Sequence, residues 1–207
     1  MHHLKDMSFA ERAPTYDSGL AAKHAQKLYD LLINEVQLFE NAAVLDVGCG
    51  TGTILKGLSA KCKINGFGID AEEKMLEIAR QKCPEINFSI QRCDNTNFSN
   101  NSFDIIIASL AYHHFDNRIG FAKEAARIIK KGGIVYIADP IFPWFIRKCI
   151  NSGINLLRLH GGFFSARELE SHFSSFGFKL IGSTVSGMAQ VVKLQKAAEH
   201  ANSLLNF

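Results

Sequence analysis

Short apolar runs alternate along the first two thirds of the chain with segments whose apolar residues recur at helical spacing. Runs of this length are typical of buried strands, and the helical spacing indicates amphipathic helices. The alternation predicts an α/β protein in which parallel βαβ units form one doubly wound sheet with helices on both faces. The predicted strands are 43–47, 64–69, 87–91, 103–109 and 134–138, and the predicted helices are 18–37, 54–60, 72–83 and 118–130.

Two further runs near the C-terminus, 178–183 and 189–194, alternate apolar and polar residues around Ser186-Gly187. This pattern and the short spacer predict an antiparallel hairpin. Together with the five strands before it, the hairpin gives a mostly parallel seven-stranded sheet with an antiparallel C-terminal end.

Two local signals mark helix boundaries. Gly132-Gly133 lies between a predicted helix and the next strand, where we expect a helix C-cap and turn. Ser165 and Glu168 have the spacing of a capping box and predict a helix that runs to about residue 176.

The 207 residues suit a single domain, because chains of this length usually bury one core. Within it we expect an N-terminal arm and helix (1–40), a ligand-binding core (41–139), an apolar insertion (140–165), and a last helix with the hairpin (166–207).

Composition narrows the class of protein. With 47% hydrophobic and 21% charged residues the chain has an ordinary globular balance, and a net charge of +3 gives no argument for nucleic-acid binding. The five cysteines include no Cys-x-x-Cys pair, so we expect neither disulfides nor a metal site. No apolar stretch is long enough to suggest stable membrane insertion, and a cytoplasmic protein is expected.

The sharpest local pattern is the run 44–52, Val-Leu-Asp-Val-Gly-Cys-Gly-Thr-Gly, where a strand leads into a glycine-rich turn. Glycine at alternate positions permits unusual backbone angles and lets a ligand approach the main chain. A dinucleotide turn has Gly-x-Gly-x-x-Gly, but the sixth position from Gly48 is Thr53. Asp46, just before the turn, would repel a diphosphate and attract an ammonium group.

A second carboxylate follows at Asp70, which ends the next predicted strand. An acid about 20 residues beyond the glycine turn is at the distance at which it can accept hydrogen bonds from ribose hydroxyls. The alternative is a plain turn in which Asp70 only caps the following helix.

With these patterns the sequence resembles the class I S-adenosylmethionine-dependent methyltransferases, and within them the ubiquinone/menaquinone-biosynthesis C-methyltransferases. The resemblance covers nearly the whole chain and implies a Rossmann-like fold. It is carried by residues 44–52, Gly68-Ile69-Asp70 with Met75, Ser102-Phe103-Asp104, Leu110-Ala111-Tyr112-His113-His114-Phe115 and Lys131-Gly132-Gly133.

The resemblance implies S-adenosylmethionine as cofactor and S-adenosylhomocysteine as product. The glycine turn would face the methionine part, Asp46 its amino group, Asp70 the ribose and Met75 the adenine. Asp94 and the Asn95 amide would read the adenine edge; if the loop has lost no residue, Arg92 and Cys93 take these places instead. The residues expected to bind the cofactor are Asp46, Gly48, Cys49, Gly50, Gly52, Asp70, Ala71, Met75, Cys93, Asp94, Asn95 and Ser109.

The acceptor implied by the resemblance is a small, at least partly apolar molecule. His114 is expected to act as the base or to orient the acceptor, whereas His113 is expected to be a packing residue that faces the other way. Tyr16 in the N-terminal arm is expected to close over the cofactor, or alternatively to pack on the first helix.

The segment 141–164 is rich in aromatic and aliphatic residues. It is interpreted either as an apolar cap over the acceptor or as a helix that completes the core or forms a homodimer contact. Overall alternatives are a cofactor-binding sensor or scaffold without catalysis, and an NAD(P)-dependent oxidoreductase, which the glycine spacing disfavours. A nucleic-acid methyltransferase is disfavoured by Ala108-Ser109-Leu110-Ala111, which lacks the Asn/Asp-Pro-Pro-aromatic pattern.

Overall fold

The computed structural model describes residues 19–156 and 162–198. Its centre is a seven-stranded sheet in the order β3-β2-β1-β4-β5-β7-β6. The strands are β1 Ala42–Val47, β2 Ile64–Asp70, β3 Asn87–Ile90, β4 Phe103–Ser109, β5 Ile129–Pro140, β6 Phe178–Ser186 and β7 Ala189–Lys196. The helices are α1 Gly19–Glu35, α2 Thr53–Ser59, α3 Glu73–Lys82, α4 Arg118–Ile128, α5 Trp144–Leu156 and α6 Ala166–Phe173.

Strands β1 to β5 pair in parallel, and β7 pairs antiparallel with both β5 and β6. The predicted seven-stranded sheet with a C-terminal antiparallel hairpin is therefore confirmed. The strand order reverses between β1 and β4, which lie side by side at the centre. In open α/β sheets, ligands bind at the carboxyl ends of the strands next to such a reversal.

Apolar side chains cover both faces of the sheet, as the doubly wound prediction requires. On one face, residues of α1 and α2 such as Leu32 and Leu55 pack against β1 and β4. On the other, Phe121 of α4 and Phe173 of α6 pack against β4, β5 and β7. The sheet is thus held between two cores, which fixes the strand ends relative to one another.

The predicted turn at Gly132-Gly133 is wrong. Helix α4 ends at Ile128, and both glycines lie inside β5. Phe103 pairs with Ile129 but Ile105 pairs with Ile134, so β5 bulges between the two pairs, and Gly132 has φ of 76° there.

The boundaries of the last elements agree with the predictions, within a few residues. The capping box is present, since Glu168 Oε2 accepts hydrogen bonds from Ser165 N and Oγ at 2.7 and 2.6 Å. Helix α6 ends at Phe173 and a 3-10 turn, Ser174–Phe176, continues to the predicted end. The N-terminal arm, with Tyr16, lies outside the described residues.

Candidate active site

A cavity of about 490 Å³ opens at the carboxyl ends of β1, β2 and β4. Its wall combines the glycine turn after β1, the end of β2 with the start of α3, the loop after β3 and the loop after β4. The cavity brings together seven of the predicted site residues, namely Gly48, Gly50, Asp70, Ala71, Met75, Cys93 and His114.

The three glycines of the turn all have left-handed backbone angles, with φ of 72° at Gly48, 51° at Gly50 and 77° at Gly52. From the sequence, these glycines are expected to leave room for a ligand. A Cβ on Gly48 would lie 2.6 Å from Ala111 Cβ, and one on Gly52 would lie 3.2 Å from Ala79 Cβ. Two of the glycines are therefore required by neighbouring protein atoms as well as by backbone geometry.

The Asp70 carboxylate joins the glycine turn to α3. Its Oδ2 accepts a hydrogen bond from Gly50 N and its Oδ1 accepts one from Glu72 N, each at 2.9 Å. Asp70 also lines the cavity. Because each carboxylate oxygen can accept more than one hydrogen bond, these contacts leave capacity for a ligand hydroxyl.

Asp46, at the end of β1, is only 1% exposed, and its Oδ1 has no hydrogen-bond partner within the described ranges. Burial, with a smaller contribution from the charge of Asp70, raises the pKa of Asp46 to about 8. The Ser109 hydroxyl is also buried without a partner there, and both residues line one small recess beside Gly48. An unsatisfied buried carboxyl group is costly, which points to a cationic or hydrogen-bonding ligand group at this place.

The loop after β3 contains both pairs of residues that the sequence offers for the adenine edge. Arg92 and Cys93 line the cavity, whereas Asp94 and Asn95 do not. Asp94 instead accepts hydrogen bonds from Arg92 Nε at 3.0 Å and from Asn117 Nδ2 at 2.9 Å. Of the two candidate pairs, only Arg92 with Cys93 therefore lines the cavity.

Two further cofactor-binding candidates, Met75 and Cys49, are buried near the turn. Met75 is 2% exposed and lines the cavity next to Ala71. The Cys49 thiol is buried and lines the small recess with Asp46, and burial raises the pKa of this thiol. Cys49 therefore offers a neutral thiol rather than a thiolate.

A 3-10 turn, Tyr112–His114, follows β4 and carries the predicted histidine pair. His114 is exposed and lines the cavity. His113 does not line the cavity, and its ring packs against Phe163 with centroids 5.2 Å apart. The prediction of a packing residue that faces the other way is incomplete, because the rings of His113 and His114 are close, with centroids 3.9 Å apart. In addition, His113 Nδ1 lies 2.8 Å from Asp139 Oδ1, and its backbone N–H donates to Asp139 Oδ2 at 3.0 Å.

Asp139 was not predicted from the sequence. It lies near the end of β5, is 6% exposed, and its pKa is raised by burial and lowered in part by the hydrogen bonds from His113. These contacts fix the turn after β4 to the end of β5. The available signal was a carboxylate next to a proline at a strand end.

Within residues 19–156 and 162–198, no three His, Cys, Asp or Glu side chains are grouped so that they could hold a metal ion. In the same ranges, no helix is both long and apolar enough to cross a bilayer.

Comparison with known proteins gives consistent results. Residues 45–137 match the family model described as a methyltransferase domain. A demethylmenaquinone methyltransferase of Chlorobaculum parvum is 30% identical over 149 residues, which are 65% of this chain and 59% of the relative. The match thus spans less than two thirds of that relative's length.

Solved structures share the fold at low identity. A SAM-dependent methyltransferase from Methanosarcina mazei has a TM-score of 0.69 and 19% identity, over 82% of this chain and 98% of that one. The cyclase SpnF has a TM-score of 0.72 and 17% identity, over 87% of this chain and 83% of its own. Residues 45–137 thus form a methyltransferase domain, and with the glycine turn and the two carboxylates the chain resembles the class I S-adenosylmethionine-dependent methyltransferases and, within them, the ubiquinone/menaquinone-biosynthesis subgroup.

Proposed function

We propose that this protein transfers a methyl group from S-adenosylmethionine to a small, partly apolar acceptor. The observation that carries the proposal is that one cavity contains both the glycine turn with Asp70 and, on the facing loop, His114. A side chain that can accept or donate a proton thus lines the same cavity as the elements that we propose bind the nucleoside.

The residues present fit the cofactor. Its ammonium group would satisfy the buried Asp46 carboxyl, with Ser109 as a further hydrogen-bonding group. Gly48, Gly50 and Gly52 would support the methionine part through their backbone.

On the nucleoside side, Asp70 would accept from the ribose hydroxyls, with Ala71 beside it. The soft thioether of Met75 suits packing on the adenine ring. For the adenine edge we propose Cys93 with Arg92, in place of Asp94 and Asn95, because only the former pair lines the cavity.

When bound, the sulfonium supplies a methyl group that is already activated, so the main task of the protein is positioning, worth up to roughly 7 to 11 kcal/mol of barrier. For an acceptor with an acidic proton, we assign proton removal or acceptor orientation to His114. We also propose that Tyr16 of the N-terminal arm closes over the cofactor.

The apolar character of the acceptor is supported by the cavity wall after β4, where Leu110, Ala111 and Phe115 lie beside His114. The Chlorobaculum relative is named for a demethylmenaquinone, which is also a largely apolar molecule. Helix α5, which begins at Trp144, is proposed as the cap; Trp144 and Phe145 are 62% and 70% exposed and so are available to an apolar molecule or to a second copy of the chain.

The proposal is tested by incubating the purified protein with S-adenosylmethionine and a panel of apolar quinols, phenols and amines, and by measuring S-adenosylhomocysteine with mass spectrometry. Formation with at least one acceptor is expected. Binding of the cofactor without product for any acceptor would favour a sensor or scaffold without catalysis. Absence of cofactor binding would overturn the proposal.

A further inference from the structure

A second cavity, of about 370 Å³, adjoins the first, and Asp116 and Asn117 line both. Its volume falls in the range of small-molecule sites. The other side chains around it include Arg118, Asn151, Phe164 and His172. None of the cofactor-binding residues lies in this second cavity, so its chemistry concerns another part of the reaction.

Arg118 is the unusual member of this set, because no carboxylate of residues 19–156 or 162–198 lies within ion-pair distance of its guanidinium. Among the described arginines, Arg80, Arg92, Arg127 and Arg147 each form an ion pair with an acid. Arg167 forms none, but it is exposed to solvent. Arg118 is partly buried, and burial lowers its pKa.

The contacts of Arg118 leave much of its donor capacity unused. One NH2 group donates to the His113 carbonyl at 3.3 Å, and the guanidinium carbon lies 5.0 Å from the centre of the Phe164 ring. The buried Nε has no hydrogen-bond partner in the part of the chain that the structure describes. A guanidinium carries five N–H donors in a planar fork. Asp116 and Asp139 act on this charge only at longer range, and Asp139 is already hydrogen-bonded to His113. A partly buried cation in a cavity with unused donors and no direct ion pair favours an anionic ligand.

The surroundings add positive potential and a further donor. Arg118 is the first residue of α4, where the helix dipole makes a cation unfavourable. His172 Nδ1 lies 2.7 Å from the Tyr112 hydroxyl. If that hydroxyl donates, Nε2 of the neutral imidazole carries the proton and can donate to a ligand. The pKa of His172 is lowered, first by burial and then by the charge of Arg118.

Asp116 is the one acid among the residues that line this cavity within the described ranges. It is exposed, so solvent screens its charge. It also lines the cofactor cavity, which places it where the two cavities meet.

We propose that the second cavity is an acid-binding subsite, in which Arg118 and His172 hold a carboxylate of the methyl acceptor while the reactive end of that molecule reaches His114. The inference rests on the proposed function and refines it, since the acceptor would then be an aromatic or amphipathic acid. Phe164, stacked on the guanidinium, would pack against the ring that bears the carboxylate.

The test uses matched probes on the full chain saturated with S-adenosylhomocysteine. Benzoate, trans-cinnamate and 2-naphthoate are titrated by calorimetry beside the corresponding amides, which keep the shape but lack the charge. We expect at least one acid to bind at least tenfold more tightly than its amide. Arg118→Met should abolish this preference, Arg118→Lys should keep part of it, and Arg167→Met, which also removes one positive charge but lies outside the cavity, should leave it unchanged.

No preference for any acid in the native protein, or a preference that survives in Arg118→Met, would overturn the inference. Thermal unfolding of each variant checks that the domain is intact; if Arg118→Met does not fold, Arg118→Gln replaces it. If S-adenosylhomocysteine itself fails to bind, the proposed function fails, and the same acid and amide titrations on the protein alone still decide the subsite. If it binds and product forms but no acid is preferred, the subsite alone is rejected.

Discussion

The two ends of the active-site cavity are built differently. At the cofactor end the wall is mainly backbone: three glycines with left-handed angles, and a carboxylate, Asp70, that is held by two main-chain N–H groups. At the acceptor end the wall is made of side chains on loops, such as His114 and Phe115, and it continues into the cavity of Arg118. Backbone geometry resists change, whereas loop side chains can be replaced one at a time.

This difference separates what the chain shares with its family from what is its own. A common cofactor can be held by a common turn, while the identity of the acceptor depends on side chains that vary. A substitution at one end of the cavity should therefore leave the function of the other end intact.

The largest effect is expected for His114→Gln. If His114 removes the acceptor proton or orients the acceptor, the turnover rate should fall by about 100-fold. Affinity for S-adenosylhomocysteine, measured by calorimetry, should stay within about twofold, because the backbone end is untouched. An equal loss of cofactor affinity would show that the two ends are not separable.

Asp70→Ala should weaken binding of S-adenosylhomocysteine by more than tenfold, since charge-assisted hydrogen bonds contribute about 1.5 to 3 kcal/mol each. The matched control is Asp104→Ala, because Asp104 Oδ2 also accepts from a backbone N–H, that of Ala43, but outside the cavity. Both variants should lose some thermal stability. Only Asp70→Ala should lose cofactor affinity, and equal affinities would contradict its assignment.

The pKa of Asp46, near 8, predicts a pH dependence of stability. A carboxyl group whose folded pKa lies above its unfolded value stabilises the fold when protonated, and this contribution is lost as pH rises from the unfolded value to about 8. The free energy of unfolding of the free protein should thus fall by about 1 kcal/mol between pH 7 and 8, below the limit of about 1.4 per unit for one proton. Urea unfolding of Asp46→Asn should lack this component, and an identical slope in both proteins would count against it.

The smallest effect is expected for the double variant Trp144→Ser with Phe145→Ser on α5. If this helix caps the acceptor, kcat/KM for apolar acceptors should fall by about threefold to tenfold, as expected for one or two lost apolar contacts. Ile181→Ser with Val185→Ser, a pair of exposed apolar residues on β6, is the control. Unchanged kinetics together with a shift from dimer to monomer in sedimentation would instead favour the homodimer contact.

Much of the fold could be predicted because it depends on local patterns. Each strand of the sheet has its own apolar run, and the glycine turn has its own spacing. The prediction at Gly132-Gly133 failed because residues 129–134 pair with β4, a contact between segments about 25 residues apart that the local pattern does not reveal.

The site divides in the same way. Asp46 and Asp70 could be predicted from their distances to the glycine turn. Asp139, Arg118 and His172 could not, because their roles arise from contacts between segments far apart in the chain, such as that between His172 and Tyr112. A lone histidine on a late helix gives no local signal of a cavity.

The close fit of Gly48 to Ala111 limits which positions of the loop after β4 can accept a different residue. Leu110, with φ of 51°, directs the chain so that the Ala111 methyl group occupies the space in which Gly48 has no side chain. The glycine turn and the loop after β4 therefore pack directly against each other. We expect substitutions at residues 114–117, which line the cavity, to alter acceptor binding, whereas a larger residue at position 111 would displace the glycine turn.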